Sequence, residues 1–442
     1  FTDRAMTFAP THLLLYFLAS AVALLPFGRL VELPLGLLSL LGAMMLLGLP
    51  RDERLPWRLL LLIWLSYTIP MLLALPDAVE SGKSLRTSLG GVRYGLFCVA
   101  MISLYALAQD RQRMQQATLS GFGLTVAVLL SLWSLDAIWQ FYSGRNLLGY
   151  GVGEGYVNGV FGEDDNIKLG ASLALFMPVA FVRSLRSGPT PVAAFVLLLI
   201  LAAIALSGKR AAWICAVVEL SLLALYFALR GHLGLRRGLV AGIAVAAVAS
   251  AAFIYSDWVR ERSSVIVTAV ENPDYETLNR ATGIRLPIWA TAWRMGRDHW
   301  INGVGTRGFR YAYPDYAAAD DPWAQPLPDA KGAKASHAHQ LLLDLFAETG
   351  VIGVGGYVLM LLLLWRAWLS AGPAARSRAL PYAAALAGTL FPVNTHSAWY
   401  SSWSSSLLWL FIGLYLFALC ETEEEREAEG DGTRDEAGEA TA

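Results

Sequence analysis

The feature that most constrains this chain is a repeated pattern of apolar runs, each near the length of a bilayer crossing, separated by short polar breaks. A spanning helix needs about 20 mostly apolar residues, and inside lipid the helix itself must satisfy its backbone amides. Such runs lie near 12–28, 33–49, 58–75, 94–108, 118–140, 166–183, 190–207, 211–229, 239–255, 341–365, 380–396 and 402–420. The expectation is an all-α, polytopic membrane protein of about twelve spans, with a membrane-embedded unit over 1–420. Composition agrees: 56% of the 442 residues are hydrophobic and 16% are charged, against about 25% charged in soluble globular chains. No basic block long enough for nucleic acid occurs. Cys98, Cys215 and Cys420 each sit in an apolar run, with spacing that fits neither a metal knuckle nor a disulfide framework; they read as small packing residues.

Lys and Arg in the short loops set the orientation. One side collects Arg51, Arg54 and Arg58, Arg111 and Arg113, Arg183 and Arg186, Arg230, Arg236 and Arg237, and Arg366, Arg376 and Arg378. The opposite loops are poorer, with Arg29, Arg145 and the pair Lys209-Arg210; the 76–93 connection, with Lys83, Arg86 and Arg93, argues the other way. The basic side is expected to be cytoplasmic. Both termini then lie inside, and residues 421–442, rich in Glu and then Gly, form a disordered acidic cytoplasmic tail. The long polar stretch 256–340, between spans 9 and 10, faces outward.

That stretch carries the chemistry. Between positions 280 and 310, Arg280, Arg285, Arg294, Arg297, Arg307 and Arg310 face a single acid, Asp298, although 256–340 as a whole holds ten basic and ten acidic residues. Locally concentrated charge suits a compact anion such as a lipid-linked pyrophosphate. Guanidinium offers phosphate a planar fork of donors, and each charge-assisted hydrogen bond contributes roughly 1.5–3 kcal/mol. Pairing with lipid headgroups or loop acids is the plain alternative, above all for Arg294, Arg297 and Arg310. It is weaker for Arg210, because a Lys-Arg pair in the tight outward turn Ser207-Gly208-Lys209-Arg210 runs against the charge rule. Pro287 predicts a helix start, and Trp289, Ala292, Trp293 and Gly296 follow at helical spacing, as in an amphipathic helix at the membrane interface. Residues 311–335 read as irregular.

The stretch ends in Ser336-His337-Ala338-His339-Gln340, before an apolar run containing Asp344 and Glu348. From spacing alone, a general base, a metal ligand completed by Asp344, and structural hydrogen bonding all remain open for these histidines. Asp164 and Asp165 could hold a cation, with a loop-end cap as the plainer role.

His339-Gln340, nine residues, then Gly350-Val351-Ile352-Gly353 resembles the signature of bacterial O-antigen ligases. Arg285-Leu-Pro-Ile-Trp289 with Asn302-Gly-Val-Gly305 and Gly308-Phe309 resembles the large-loop motif of the wider ligase and polymerase superfamily, and Ser207-Gly-Lys-Arg210 its short-loop arginine motif. Thr306-Arg307 departs from the small residue or proline common there. The resemblance implies a GT-C-like, multi-pass glycosyltransferase of the bacterial inner membrane with a periplasmic site, no cofactor and no metal. It would move a polysaccharide from undecaprenyl pyrophosphate to lipid A–core with inversion. Arg210 and Arg285 would bind the pyrophosphate and His339 would deprotonate the acceptor, with His337, Lys209, Arg280, Arg307 and Arg145 as further substrate-binding candidates. An O-antigen polymerase and an O-linked protein oligosaccharyltransferase use the same donor. A non-enzymatic lipid or polysaccharide transporter would place charges within the spans, which here are nearly free of them.

Overall fold

A computed structural model describes residues 2–48, 52, 55–153, 156–162, 168–187, 190–230, 257–326, 332–394, 398–421 and 425. These residues form helices and no β-strand. The helices are α1 (Thr2–Ala23), α2 (Glu32–Met45), α3 (Trp57–Leu73), α4 (Ser81–Gly90), α5 (Val92–Leu107), α6 (Arg111–Ser143), α7 (Leu169–Ser187), α8 (Thr190–Leu206) and α9 (Arg210–Leu229). There follow α10 (Asp257–Glu271), α11 (Tyr275–Ala281), α12 (Leu286–Asp298), α13 (Phe309–Tyr316), α14 (Leu341–Ser370), α15 (Pro373–Thr389) and α16 (Ser402–Leu419). Among the described residues seven helices have the length and composition to cross a membrane, and Pro10–Ala23, Trp57–Leu73 and Pro191–Leu206 are shorter apolar helices. The expected span at 239–255 lies outside the described residues. The one expected at 380–396 is α15, which stops at Thr389 and gives way to a turn.

The helices approach closely at glycines. A Cβ on Gly42 of α2 would lie 1.9 Å from the Leu96 carbonyl oxygen of α5, and one on Gly356 of α14 would lie 2.2 Å from the Ser66 carbonyl oxygen of α3. Small residues permit such approaches where lipid supplies no hydrophobic drive between helices. An aromatic cluster of Tyr67, Tyr94, Trp399, Tyr400 and Trp409 fills the centre, and the Tyr67 hydroxyl and Ser405 Oγ are hydrogen-bonded at 2.7 Å.

The large polar stretch has its own core, built from Ile288, Ala292 and Met295 of α12 with Val304, Phe309, Tyr313, Ala338 and Ala347. The apolar face of α12 is therefore spent on protein, and Trp293 projects outward. The helix Phe309–Tyr316 runs into the start of the segment 311–335 that was expected to be irregular. The 76–93 connection, which broke the charge rule, belongs to this end. The Val79 amide donates to the Val304 carbonyl at 3.0 Å, the Ser84 hydroxyl to the Thr306 carbonyl at 2.9 Å, and Lys83 to the Tyr311 hydroxyl at 2.9 Å. Its lysine supports the polar stretch from below.

At the opposite end the acidic tail starts bound. Glu421 accepts the Gly372 amide at 2.6 Å, and Glu425 pairs with Arg378. One further correction concerns charge within the bundle: Glu219, in α9, is fully buried against Gly388 of α15.

Candidate active site

Three segments meet at the N-terminal ends of α9, α12 and α14. The first is the turn into α9. Gly208 takes a left-handed φ of 69°, Lys209 is the N-cap, and Arg210 opens the helix. Arg210 donates to the Ala281 carbonyl, and its guanidinium would stand 3.2 Å from a Cβ on Gly283. It thus holds the end of α11 and the turn that delivers Arg285.

The second segment is that turn. Ile284 has a φ of 60° and its carbonyl accepts from Trp323 Nε1 at 2.8 Å. Arg285 then caps α12, with Pro287 in the first turn.

The third segment carries His339. Asp344, fully buried, accepts the Ala338 amide at 3.0 Å and the Trp399 amide at 2.9 Å. It ties the His337-Ala338-His339 turn to the loop before α16. Gln340 caps α14 by accepting the Leu343 amide at 2.6 Å and donates to the Pro392 carbonyl at 3.0 Å. Between these anchors His339 adopts a φ of 52°, and its ring lies 3.7 Å from that of His337, centroid to centroid. Ser336 Oγ is 2.9 Å from His337 Nδ1.

Among the described residues the non-glycine positions with left-handed φ are Ile284, Arg307 and His339. All three flank the same place. Each such residue costs roughly 1–2 kcal/mol, and strain of this kind persists where surrounding structure fixes it, often at functional sites.

Burial pushes the His339 imidazole down to about 3, helped by the nearby charges of Arg285 and then Lys209. Those two cations therefore bear directly on the ring. At neutral pH the imidazole is therefore uncharged.

The glycine motifs explain each other. α14 breaks at Gly350, whose φ is 62°. The break frees carbonyls that a continuous helix would use. Val304 and Gly305 amides donate to Ala347 and Glu348 carbonyls at 2.9 and 3.0 Å, and the Val351 amide donates to Trp300 at 2.8 Å. A Cβ on Gly303 would lie 2.3 Å from the Glu348 carbonyl carbon, and one on Gly350 would lie 2.3 Å from the Ile301 carbonyl carbon. The nine residues between Gln340 and Gly350 form a rod about 14 Å long at 1.5 Å per residue. Its length sets His339 at a fixed height above the break.

The other predicted residues sort differently. Arg307 places its charge near the buried carboxyls of Asp344 and Glu348, and the backbone amides of Arg307 and Phe309 face the Glu348 carboxyl. Arg280 pairs with Glu276 in an exposed i,i+4 contact. Arg145 is exposed in the turn after α6, and no contact among the described residues ties it to the histidines. Asp164 and Asp165 lie outside the described residues. Among those described, no group of three or more His, Cys, Asp or Glu side chains is placed to share a metal ion, and both oxygens of Asp344 are taken by amides. Sequence reasoning passed over Glu219; one acid in a twenty-residue apolar run was the available signal.

Fold and site together describe a polytopic, all-helical membrane protein with a basic, histidine-bearing site at the helix ends. Residues 195–358, from within α8 into α14, match the family model described as O-antigen ligase. The chain is similar over that stretch to a family of the O-antigen ligase and polymerase type, whose members are glycosyltransferase-like enzymes. No curated protein matches the chain.

Proposed function

We propose that this protein is an O-antigen ligase: it transfers a glycan from undecaprenyl pyrophosphate to a hydroxyl of lipid A–core at the periplasmic face of a bacterial inner membrane. The supporting observation is that the charges of Arg285 and Lys209 bear on His339, while Arg210 grips the turn that delivers Arg285.

In this mechanism Arg210 and Arg285 bind the pyrophosphate, with Lys209 beside them. The acceptor oxygen attacks the anomeric carbon from the face opposite the phosphate. Its proton passes to His339, the C–O bond to phosphate breaks, and the electron pair leaves with the pyrophosphate. Fixed guanidinium groups stabilise the charge developing on the leaving group without rearranging.

The low basicity of His339 fits an ordered reaction. Two of the causes that depress it are the charges of Arg285 and Lys209. A bound pyrophosphate offsets those charges, so donor binding raises the imidazole's proton affinity and strengthens the base. The base becomes effective when the leaving group is in place.

The test is transfer from a purified lipid-pyrophosphate glycan with lipid A–core and an acceptor peptide offered side by side, with and without chelator. Transfer to lipid A–core that persists in chelator is expected. Transfer to peptide alone would overturn the ligase reading in favour of protein glycosylation, elongation of the donor glycan alone would favour a polymerase, and loss with chelator would revive a metal role for His337 and His339.

A further inference from the structure

The turn after α6 is held by three buried polar side chains, Asp136, Gln140 and Asn146. Every amide from Asn146 to Tyr150 finds an acceptor within the protein. The Asn146 amide donates to the Tyr150 carbonyl at 2.9 Å and the Gly149 amide to the Asn146 carbonyl at 3.0 Å. The Leu147 amide donates to Asp136 at 2.9 Å, and those of Leu148 and Tyr150 donate to Asn146 Oδ1 at 3.0 and 2.8 Å. The Val152 amide closes the hairpin on the Gly144 carbonyl at 3.2 Å. Yet the tip secured in this way carries Leu147 and Leu148, which are 75% and 59% exposed. In water such amides need no buried carboxylate, because solvent can satisfy them. Against lipid they must be satisfied by the protein itself.

The hairpin folds back along α6. Asp136 holds its tip, and Gln140 holds its second limb by donating to the Tyr150 and Gly151 carbonyls at 3.1 and 2.7 Å. Asp136 lies seven residues before the end of α6 at Ser143, so the tip reaches about 10 Å back toward the middle of the bundle.

Two markers fix that tip against a bilayer. Arg183 Nε donates to the Ser120 carbonyl of α6 at 3.1 Å, and a guanidinium keeps its charge at or beyond the hydrocarbon edge. A hydrocarbon layer of about 30 Å, counted from Ser120 at about 1.5 Å per residue, ends near Gln140. The second marker lies at that far edge. Gln140 Oε1 accepts the Asn158 amide at 3.1 Å, and the adjacent Val157 amide donates to the Leu206 carbonyl at 3.3 Å, where α8 ends beside the charged Lys209 and Arg210. Both put the edge near Gln140, and the tip, at the level of Asp136, inside it. The exposed apolar face of α6 reaches the same level. It runs through Leu124, Val128, Leu132 and Leu135 on a helix long and apolar enough to cross a membrane.

We infer that the hairpin 144–152 is a membrane anchor whose Leu147-Leu148 tip inserts among the acyl chains of the leaflet at the site's end of the bundle. The tip lies in the acyl–headgroup boundary, as interfacial segments do, and its partner is the bulk lipid of the bilayer. The anchor therefore holds whether or not the reaction assigned above does.

Nitroxide labels on the full chain in lipid nanodiscs test this. Cys98, Cys215 and Cys420 are buried, and the native chain treated with the same reagent gives the background. The labelled variants are Leu147→Cys and Leu148→Cys at the tip, Leu135→Cys and Tyr142→Cys on α6, and Asp320→Cys, exposed in the polar stretch. The readout is collision with oxygen, which concentrates in lipid, against collision with a water-soluble nickel chelate. Both tip labels should show an oxygen-to-nickel ratio several-fold above that of Asp320→Cys and equal to that of Leu135→Cys. They should also lie roughly 9 Å deeper than Tyr142→Cys, the rise of six helical residues. Nickel access matching Asp320→Cys would mean a turn in water and overturns the anchor. Protection from both reagents would mean that protein covers the tip, with spin–spin broadening marking a second copy of the chain, and overturns it equally.

Discussion

The two ends of the helix bundle use arginine in opposite ways. At the end bearing the tail, Arg376 donates to the Trp368 carbonyl at 2.9 Å and Arg378 to those of Ala418 and Cys420 at 3.3 and 3.1 Å. There, cations near helix C-termini satisfy terminal carbonyls and complement the helix dipole. At the other end Arg210 grips a loop, Arg285 caps a helix N-terminus where a cation opposes the dipole, and the charges of Arg285 and Lys209 bear on a neutral histidine on strained backbone. One end uses arginine to finish helices. The other tolerates electrostatic and backbone cost.

The sharpest way to break this comparison is at the base. His339→Ala should lower turnover about 10²- to 10⁴-fold, the usual contribution of a positioned general base, while donor binding survives. A loss of donor binding of the same size would return the histidine to a structural role. Arg285→Ala should act on binding instead, weakening donor affinity about 10- to 100-fold for the loss of one or two charge-assisted hydrogen bonds. The matching change at the other end, Arg376→Ala, should leave donor affinity alone and show only in thermal stability. Kinetics with each variant in the same membrane preparation check all three.

Asp344 and Gly350 hold the site rather than enter it. Asp344→Asn keeps the shape but turns an NH₂ toward one of two buried amide donors. It should destabilise the protein by about 1–3 kcal/mol and lower turnover more than donor affinity, as a misplaced base would. Gly350→Ala meets both the left-handed φ and the Ile301 backbone, and thermal unfolding should show a loss of similar or greater size.

pH sharpens the contrast. In the donor-free protein the folded His339 titrates near 3, below the unfolded value of about 6.5. Between those values the unfolded chain binds more protons, so stability should rise with pH across that window. Bound pyrophosphate should shrink the effect by raising the folded value, and His339→Gln should remove it. Melting curves from pH 4 to 7 with and without pyrophosphate would show this; an unchanged slope in the variant argues that other groups cause it.

Much of this was legible in the sequence, for physical reasons that also mark where legibility stopped. The expected apolar segments within the described residues each fall on a helix, because hydropathy is a local property, but their ends do not, as α15 stops at Thr389. The turn at Gly208 and the start of α12 at Pro287 were equally local. By contrast, nothing local assigns the apolar face of α12 to Val304, Phe309 and Tyr313 rather than to lipid. Nothing local says that the acid at 344 ties the histidine turn to the loop before α16 while the acid at 348 lies beside Arg307. The interlock of Gly303 with Gly350 joins segments forty-odd residues apart, and only their shared glycine spacing hinted at it. Glu219 was hidden by averaging, since one carboxyl barely moves the mean hydropathy of its helix.

The smallest expected effects separate arginines that look alike in sequence. Arg280 and Arg285 lie five residues apart, and both were candidates for the anion. Arg280 is exposed and engaged with Glu276 one helical turn away, a pair of the kind that contributes little. Arg285 stands at the head of α12 with its charge on His339. Arg280→Ala and Arg145→Ala should therefore leave transfer within about two-fold of the native rate, since a screened surface charge is worth at most about 1 kcal/mol. A ten-fold loss for Arg280→Ala would mean that it leaves Glu276 for the donor, and the anion site would then extend along α11 toward solvent.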